Sequence, residues 1–269
     1  MKDILQTIVA YKQEEVRQRK AIMPLSALQE QAKRQEKRKA CSMRHALALS
    51  PTGIIAEFKR KSPSKGWLHP DANVDEVLPA YAKNGASACS LLTDAPFFGG
   101  SPDDLRKARR LVDLPLLRKD FLIDEYQLYE AKLLGADAVL LIAAILTPPV
   151  CRSLAEKAHE LGLETLLEIH REEELVHLSP AIDMLGVNNR NLGTFHTDIA
   201  NAKGIIRTVQ SYLDKVRLTP LLIAESGIHE ASSVRALRNI GYQGFLIGEA
   251  FMRTKSPGVT LGRFIQELV

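Results

Sequence analysis

From Ile54 onward, short apolar runs alternate with longer stretches whose apolar residues recur every three or four positions. The runs predict strands at residues 54–59, 88–92, 116–119, 138–142, 165–169, 184–188, 221–225 and 245–248. The spacing between them predicts helices at residues 74–84, 103–111, 123–134, 148–161, 172–178, 197–212, 230–240 and 261–268. Gly85, Gly135 and Gly241 follow three of these helices, where a C-cap precedes the next strand. Regular alternation of strand and helix implies a parallel sheet. Eight such units in a chain of this length imply an α/β fold, a (β/α)8 TIM barrel. An open doubly wound sheet is the competing closure, but no GxGxxG follows the first strand.

The pattern before Pro51 is different. Residues 4–19 and 25–49 have helical spacing and no strand signal, with Pro24 between them. We read residues 1–50 as an N-terminal helical extension that covers the barrel's bottom or leans over its mouth. Residues 51–269 form the barrel, and no Gly/Ser-rich linker separates the two, so a single domain is expected.

Composition adds exclusions. With 45% apolar and 25% charged residues the chain has ordinary globular proportions. Cys41, Cys89 and Cys151 are far apart and in no CxxC or Cys/His cluster, which gives neither a disulfide framework nor a metal site. The first twenty residues carry charges throughout, unlike a signal peptide. The longest apolar run, residues 138–146, falls far short of a membrane span, so a cytoplasmic protein without a membrane partner is expected. Net charge is only +4. The basic residues between Arg17 and Arg44, including Lys37-Arg38-Lys39, are interleaved with Glu and Gln and lack aromatics. They read as a solvated helix face, with no nucleic-acid partner expected.

Candidate chemistry gathers at the strand ends. Glu57 and Lys59 are two apart, so both leave their strand on one side. Lys119, Glu168, Asn188 with Arg190, and Glu225 with Ser226 end four other strands. In such a barrel the carboxyl ends of the strands surround one cavity, where packed acids and amines shift each other's pKa values. His170, just past the fifth strand, reads as a surface loop residue. Gly227 and Gly248 follow the last two strands, where the loops and a short helix N-terminus form the usual phosphate site of these barrels. A phosphorylated small-molecule substrate is therefore expected.

The motifs residues 55–64 (IAEFKRKSPS), Leu91-Leu92-Thr93-Asp94 with Phe98-Gly99-Gly100, and Leu117-Arg118-Lys119-Asp120-Phe121 then acquire a common meaning. So do Glu168, residues 186–192 (GVNNRNL) and Glu225-Ser226-Gly227. Together they resemble the indole-3-glycerol-phosphate synthase family over essentially the whole chain. The resemblance implies ring closure, decarboxylation and dehydration of 1-(2-carboxyphenylamino)-1-deoxyribulose 5-phosphate, without a cofactor or metal. It implies that Lys119 is the general acid, that Lys59 holds the anthranilate carboxylate, and that Glu168 acts in the dehydration with Glu57 orienting or assisting it. Asn188 is implied to bind a substrate hydroxyl, and Arg190 and Glu225 to belong to the polar network. Ser62, Ser226, Gly227, Gly248 and the backbone of Glu249 are implied to cradle the phosphate. Phe98, Phe121 and Leu140 are implied to wall the aromatic ring. The Glu249 side chain, which replaces the Ser of some relatives, is expected to point away. A monomer or weak homodimer is expected.

Three alternatives remain at this point. A sister barrel such as phosphoribosylanthranilate isomerase would use a Cys/Asp pair, whereas the first strand here ends in Glu and Lys. A non-catalytic barrel would be expected to lack Lys119 or Glu168, and both are present. A nucleic-acid role for the N-terminal helices would show as salt-dependent retention on heparin.

Overall fold

In the computed structural model residues 4–34, 41–190 and 199–269 are described. Eight strands follow the expected order: β1 (Ile54–Phe58), β2 (Ala88–Leu92), β3 (Leu116–Lys119), β4 (Ala138–Ile142), β5 (Glu164–Ile169), β6 (Met184–Asn188), β7 (Leu221–Glu225) and β8 (Gly244–Ile247). Each pairs in parallel with the next, and β8 closes onto β1 with Ile54 opposite Phe245. Every observed end lies within one residue of its expected position.

The strands are apolar on both sides because both sides are covered. Ile55, Leu117, Leu140, Leu166, Ile223 and Leu246 point inward and fill the barrel. Their neighbours Ile54, Ala56, Leu116, Val139 and Leu167 point outward into the layer beneath the helices.

The extension supplies α1 (Ile4–Ile22), α2 (Leu25–Arg34) and α3 (Met43–Leu49). The sheath comprises α4 (Val74–Lys83), α5 (Ala95–Phe98), α6 (Pro102–Leu111), α7 (Glu125–Leu134), α8 (Pro148–Glu160), α9 (Ala200–Val216), α10 (Ala231–Arg238), α11 (Glu249–Met252) and α12 (Pro257–Gln266). Local signals explain several ends. Asp124 and Gln127 form a capping box at the start of α7, and Gly135 at φ 88° ends it.

Some expectations need correction. Residues 172–178 form no α-helix; a 3-10 turn, Glu172–His177, connects β5 to β6. Residues 25–49 are not one helix, because Ser42 caps a separate α3 that begins at Met43. Residues 35–40 between α2 and α3, with Lys37-Arg38-Lys39, lie outside the described residues, as do Asn191, Leu192 and the start of the expected 197–212 helix.

The extension does both things expected of it as alternatives. Ile8 of α1 joins the barrel-filling cluster near Phe121, at the mouth. Met43 and Leu47 of α3 join the same cluster beside Ala88, Ala138 and Leu221, the first residues of their strands, and so plug the floor. Between the two, Val16 and Leu28 pack on Tyr126 and Tyr129 of α7.

Candidate active site

One pocket opens at the carboxyl ends of the strands, and the strand-end residues converge on it. Lys119 of β3 is the hub. Its Nζ donates to Glu168 Oε2 of β5 at 2.9 Å and to Glu225 Oε2 of β7 at 2.8 Å. Glu57 and Lys59 pair at 2.5 Å, Glu57 at the end of β1 and Lys59 just beyond it, as their spacing requires. Asn188 ends β6, and its Oδ1 accepts from the Arg190 backbone N–H at 2.9 Å. Arg190 donates to Ser64 Oγ at 2.7 Å.

Glycines make room for this cluster. A Cβ on Gly186 would run into the Glu225 carboxylate, and a Cβ on Gly248 would run into Glu57. The expected reason for Gly248, close approach of its backbone to an anion, is therefore joined by a second that the structure makes explicit. Gly227 has φ 75°, and Ser226 beside it has φ 66°, a conformation a serine rarely adopts. This left-handed pair shapes the loop after β7 in the pocket wall.

Phe98, Phe121 and Leu140 form an apolar wall, with the two rings 6.0 Å apart and tilted by 38°. Ile4, Leu5 and Ile8 of α1 add to it. Of the residues expected in the site, Ser62 alone is not in the wall. It is buried, its hydroxyl has no hydrogen-bond partner among the described residues, and Pro63 lines the pocket instead.

Two expectations are corrected. The Glu249 side chain does not point away: it lines the pocket, 3.6 Å from Arg190 and 3.0 Å from Arg253. His170 is not a surface residue. Its side chain is 12% exposed, with Nε2 3.4 Å from Glu168 Oε1.

The charges shift one another. Burial would lower the Lys119 pKa, but Glu168, Glu225 and Glu57 outweigh it and keep the amine protonated. Burial would raise Glu168, yet Lys119 and then His170 hold it below the usual range. Glu225 goes the other way: burial pushes it up to about 7, Lys119 offsets this only in part, and Glu168 adds to the rise.

A second cluster escaped the sequence reading. Lys12 of α1 is buried and reaches Asp120 at 2.9 Å and Asp94 at 3.2 Å, just beyond β3 and β2. Arg118, the residue before Lys119, is fully buried and donates to Thr93, the Gln127 carbonyl, Asp120 and Glu130. One signal was available: Lys12 stands on the Ile8–Lys12–Val16 stripe of α1, where an apolar residue belongs.

Fold and site together define a (β/α)8-barrel enzyme with an acid–base cluster at its strand ends. The model of one family, indole-3-glycerol phosphate synthase, matches residues 5–264. The chain belongs to the indole-3-glycerol phosphate synthase family, the carboxy-lyases of tryptophan biosynthesis. An indole-3-glycerol phosphate synthase of Bacteroides thetaiotaomicron is 53% identical over 268 residues, covering 100% of both chains. One from Chromobacterium violaceum is 41% identical and covers 98% of each. Among solved structures, a mutant tryptophan synthase alpha-subunit from Pyrococcus furiosus aligns with a TM-score of 0.57 at 17% identity, over 81% of this chain and 97% of its own. At that identity the likeness concerns the fold alone.

Proposed function

We propose that the Lys119 cluster drives the family's reaction on 1-(2-carboxyphenylamino)-1-deoxyribulose 5-phosphate in two proton-dependent stages. The observation that carries this reading is one ammonium held within 2.9 Å of two buried carboxylates of opposite tendency. Such a group is protonated, positioned and poorly solvated, which suits a general acid.

The substrate's aromatic ring rests against Phe98, Phe121 and Leu140, with its carboxylate on Lys59. The ring carbon bearing the carboxylate attacks the ribulose carbonyl. A C–C bond forms, the carbonyl π pair moves to oxygen, and that oxygen takes a proton from Lys119. The bond to the carboxylate then breaks, CO2 leaves, and its electron pair restores the aromatic ring. In the dehydration Glu168 takes a carbon-bound proton, with Glu57 orienting or assisting. A proton from the same cluster departs with the hydroxyl as water.

Asn188 binds a substrate hydroxyl, and Arg190 and Glu225 complete the polar network. The phosphate lies at the loops after β7 and β8, cradled by Ser226, Gly227, Gly248 and the backbone of Glu249 with Ser62 nearby. Charge-assisted bonds from backbone N–H groups hold it there. We place the enzyme in the cytoplasm, as a monomer or weak homodimer without nucleic-acid or membrane partners; sedimentation at micromolar concentration tests the oligomeric state.

The test of the central assignment is Lys119→Met assayed by indole fluorescence. Turnover should fall by roughly 10²–10⁴-fold while circular dichroism stays that of a folded protein. Retention of more than about a tenth of the original kcat removes Lys119 from the role of general acid.

A further inference from the structure

With the substrate carboxylate ionised, substrate plus one proton gives indole-3-glycerol phosphate, CO2 and water. The dehydration takes one proton from carbon and gives one to the hydroxyl. The condensation gives one and takes none. The buried cluster therefore ends every turnover one proton short, and water must replace it.

His170 stands on the way in. Its Nε2 faces Glu168 Oε1 at 3.4 Å, on the opposite oxygen from the one that meets Lys119. Its Nδ1 faces Glu174 Oε2 at 3.8 Å. Both distances exceed a firm hydrogen bond, and both ring nitrogens lack a hydrogen-bond partner among the described residues. The ring is thus held beside two carboxylates and bonded to neither, and a water or a small rotation closes either gap.

The backbone keeps it there: the His170 N–H donates to Glu174 at 2.7 Å, and Asn201 of α9 donates to its carbonyl at 3.2 Å. The charged groups around the ring come from several elements. Glu168 of β5, Glu174 of the following turn and Glu225 of β7 favour the imidazolium, and Lys119 of β3 stands beyond Glu168. Arg171 binds the far oxygen of Glu174 at 3.2 Å. Burial alone would lower the His170 pKa, but Glu174 and Glu168 outweigh it and raise it.

We propose that His170 is the residue through which solvent protons return to the catalytic cluster. The imidazolium gives its Nε2 proton to Glu168 Oε1 and keeps the one on Nδ1, beside Glu174; a small rotation then turns the bare Nε2 to solvent, where it takes a proton from water. A turn of the Glu168 carboxyl group carries that proton to the side facing Lys119, and its transfer to the amine leaves both in their starting states. No electrons are exchanged and no other reactant is needed. The inference rests on the assignment of Lys119 as the acid. His170 touches no reacting atom in this scheme; it is a positioning and relay residue.

Rapid mixing of substrate with the His170→Ala enzyme tests it. The first turnover uses protons already in the cluster and should run at nearly the original rate. Later turnovers wait for proton return and should slow by about tenfold or more, so indole appears as a burst of one per site. The solvent deuterium isotope effect on kcat should rise, KM should change little, and added imidazole should restore the steady rate. His170→Gln, which keeps the volume, replaces His170→Ala if the latter fails to fold. Equal slowing of first and later turnovers, or no slowing, overturns the relay. Lys119→Met separates the two claims, since it should abolish the burst itself; a surviving burst there sinks the Lys119 assignment and leaves the His170 result to be judged by its own burst.

Discussion

Two buried charge clusters meet on β3, one residue apart. Arg118 faces outward and Lys119 inward, because neighbouring strand residues alternate. In the outer cluster Asp120 is satisfied. Asp120 accepts from Thr93 and Arg118 on one oxygen and meets Lys12 and a backbone N–H on the other. Burial would raise its pKa, but Lys12 and Arg118 hold it well below the usual range. The inner cluster is left incomplete. Glu225 keeps one buried oxygen without a partner among the described residues and is pushed up to about 7. Both carboxylates are buried, so burial does not distinguish structure from chemistry. Completeness of pairing does: the satisfied group stays ionised and fastens α1 to the barrel, and the unsatisfied one keeps a proton within reach of neutral pH.

Four substitutions break or sharpen this contrast. The largest effect is expected from Arg118→Met. Removing one partner from a buried network leaves Asp120 and Glu130 facing a hole, at a cost of about 3–5 kcal/mol by urea denaturation. A loss under about 1 kcal/mol would mean that the outer cluster is not structural. Next comes Lys12→Met, which sets Asp94 against Asp120. Stability should fall by about 2 kcal/mol or more. KM should also rise, since Ile4, Leu5 and Ile8 of the same helix line the pocket; unchanged kinetics would detach α1 from substrate binding.

Glu225→Gln should act through pH. The folded-state value lies above the ordinary 4.5, at about 7, so the folded state holds the extra proton. The destabilisation from this group is absent below about 4.5 and complete above about 7. Native Glu225 therefore makes stability fall as pH rises through that window, by at most about 1.4 kcal/mol per pH unit. Melting temperatures from pH 4 to 8 should lose that component in the variant; parallel curves would show Glu225 to be ordinary. The smallest effect is expected from Glu249→Ser. Its partners are the pocket residue Arg190 at 3.6 Å and Arg253 at 3.0 Å, whose side chain is half exposed. Stability should change by less than about 1 kcal/mol, and a larger shift would place Glu249 within the inner cluster.

Much of this molecule was legible before its folding was known, and what was not has a common cause. Several strand ends were readable to one residue because their apolar runs stop at a charged or glycine residue, as at Lys59 and Gly248. Glu57, Lys59, Lys119, Glu168 and Glu225 were readable as a group because barrel geometry gathers strand ends wherever the chain places them. Short elements such as α5, and the antiparallel pair Lys61–Ser62 with Gly66–Trp67, escaped because two to four residues carry no periodicity. His170 was misread because its backbone is folded onto Glu174 in the turn and tied to Asn201 of α9, 31 residues away, which no periodicity announces. The Lys12–Asp94–Asp120 contact joins positions some 80 and 110 residues apart, and no local pattern encodes such a distance.

The alternation on β3 also bears on how the barrel closes correctly. Leu116 and Leu117 suit an apolar environment on either side, so they would tolerate a slip of the strand by one residue. Arg118 and Lys119 would not. A one-residue slip exchanges the sides of all four. The forked guanidinium would enter the mouth between Glu168 and Glu225, and the ammonium would enter the sheath facing a spread of acceptors that its compact head cannot match. The observed register sets Arg118 opposite Leu91 and Val139. The two adjacent cations thus act as a registration mark, rejecting a misaligned sheet that hydrophobicity alone would accept.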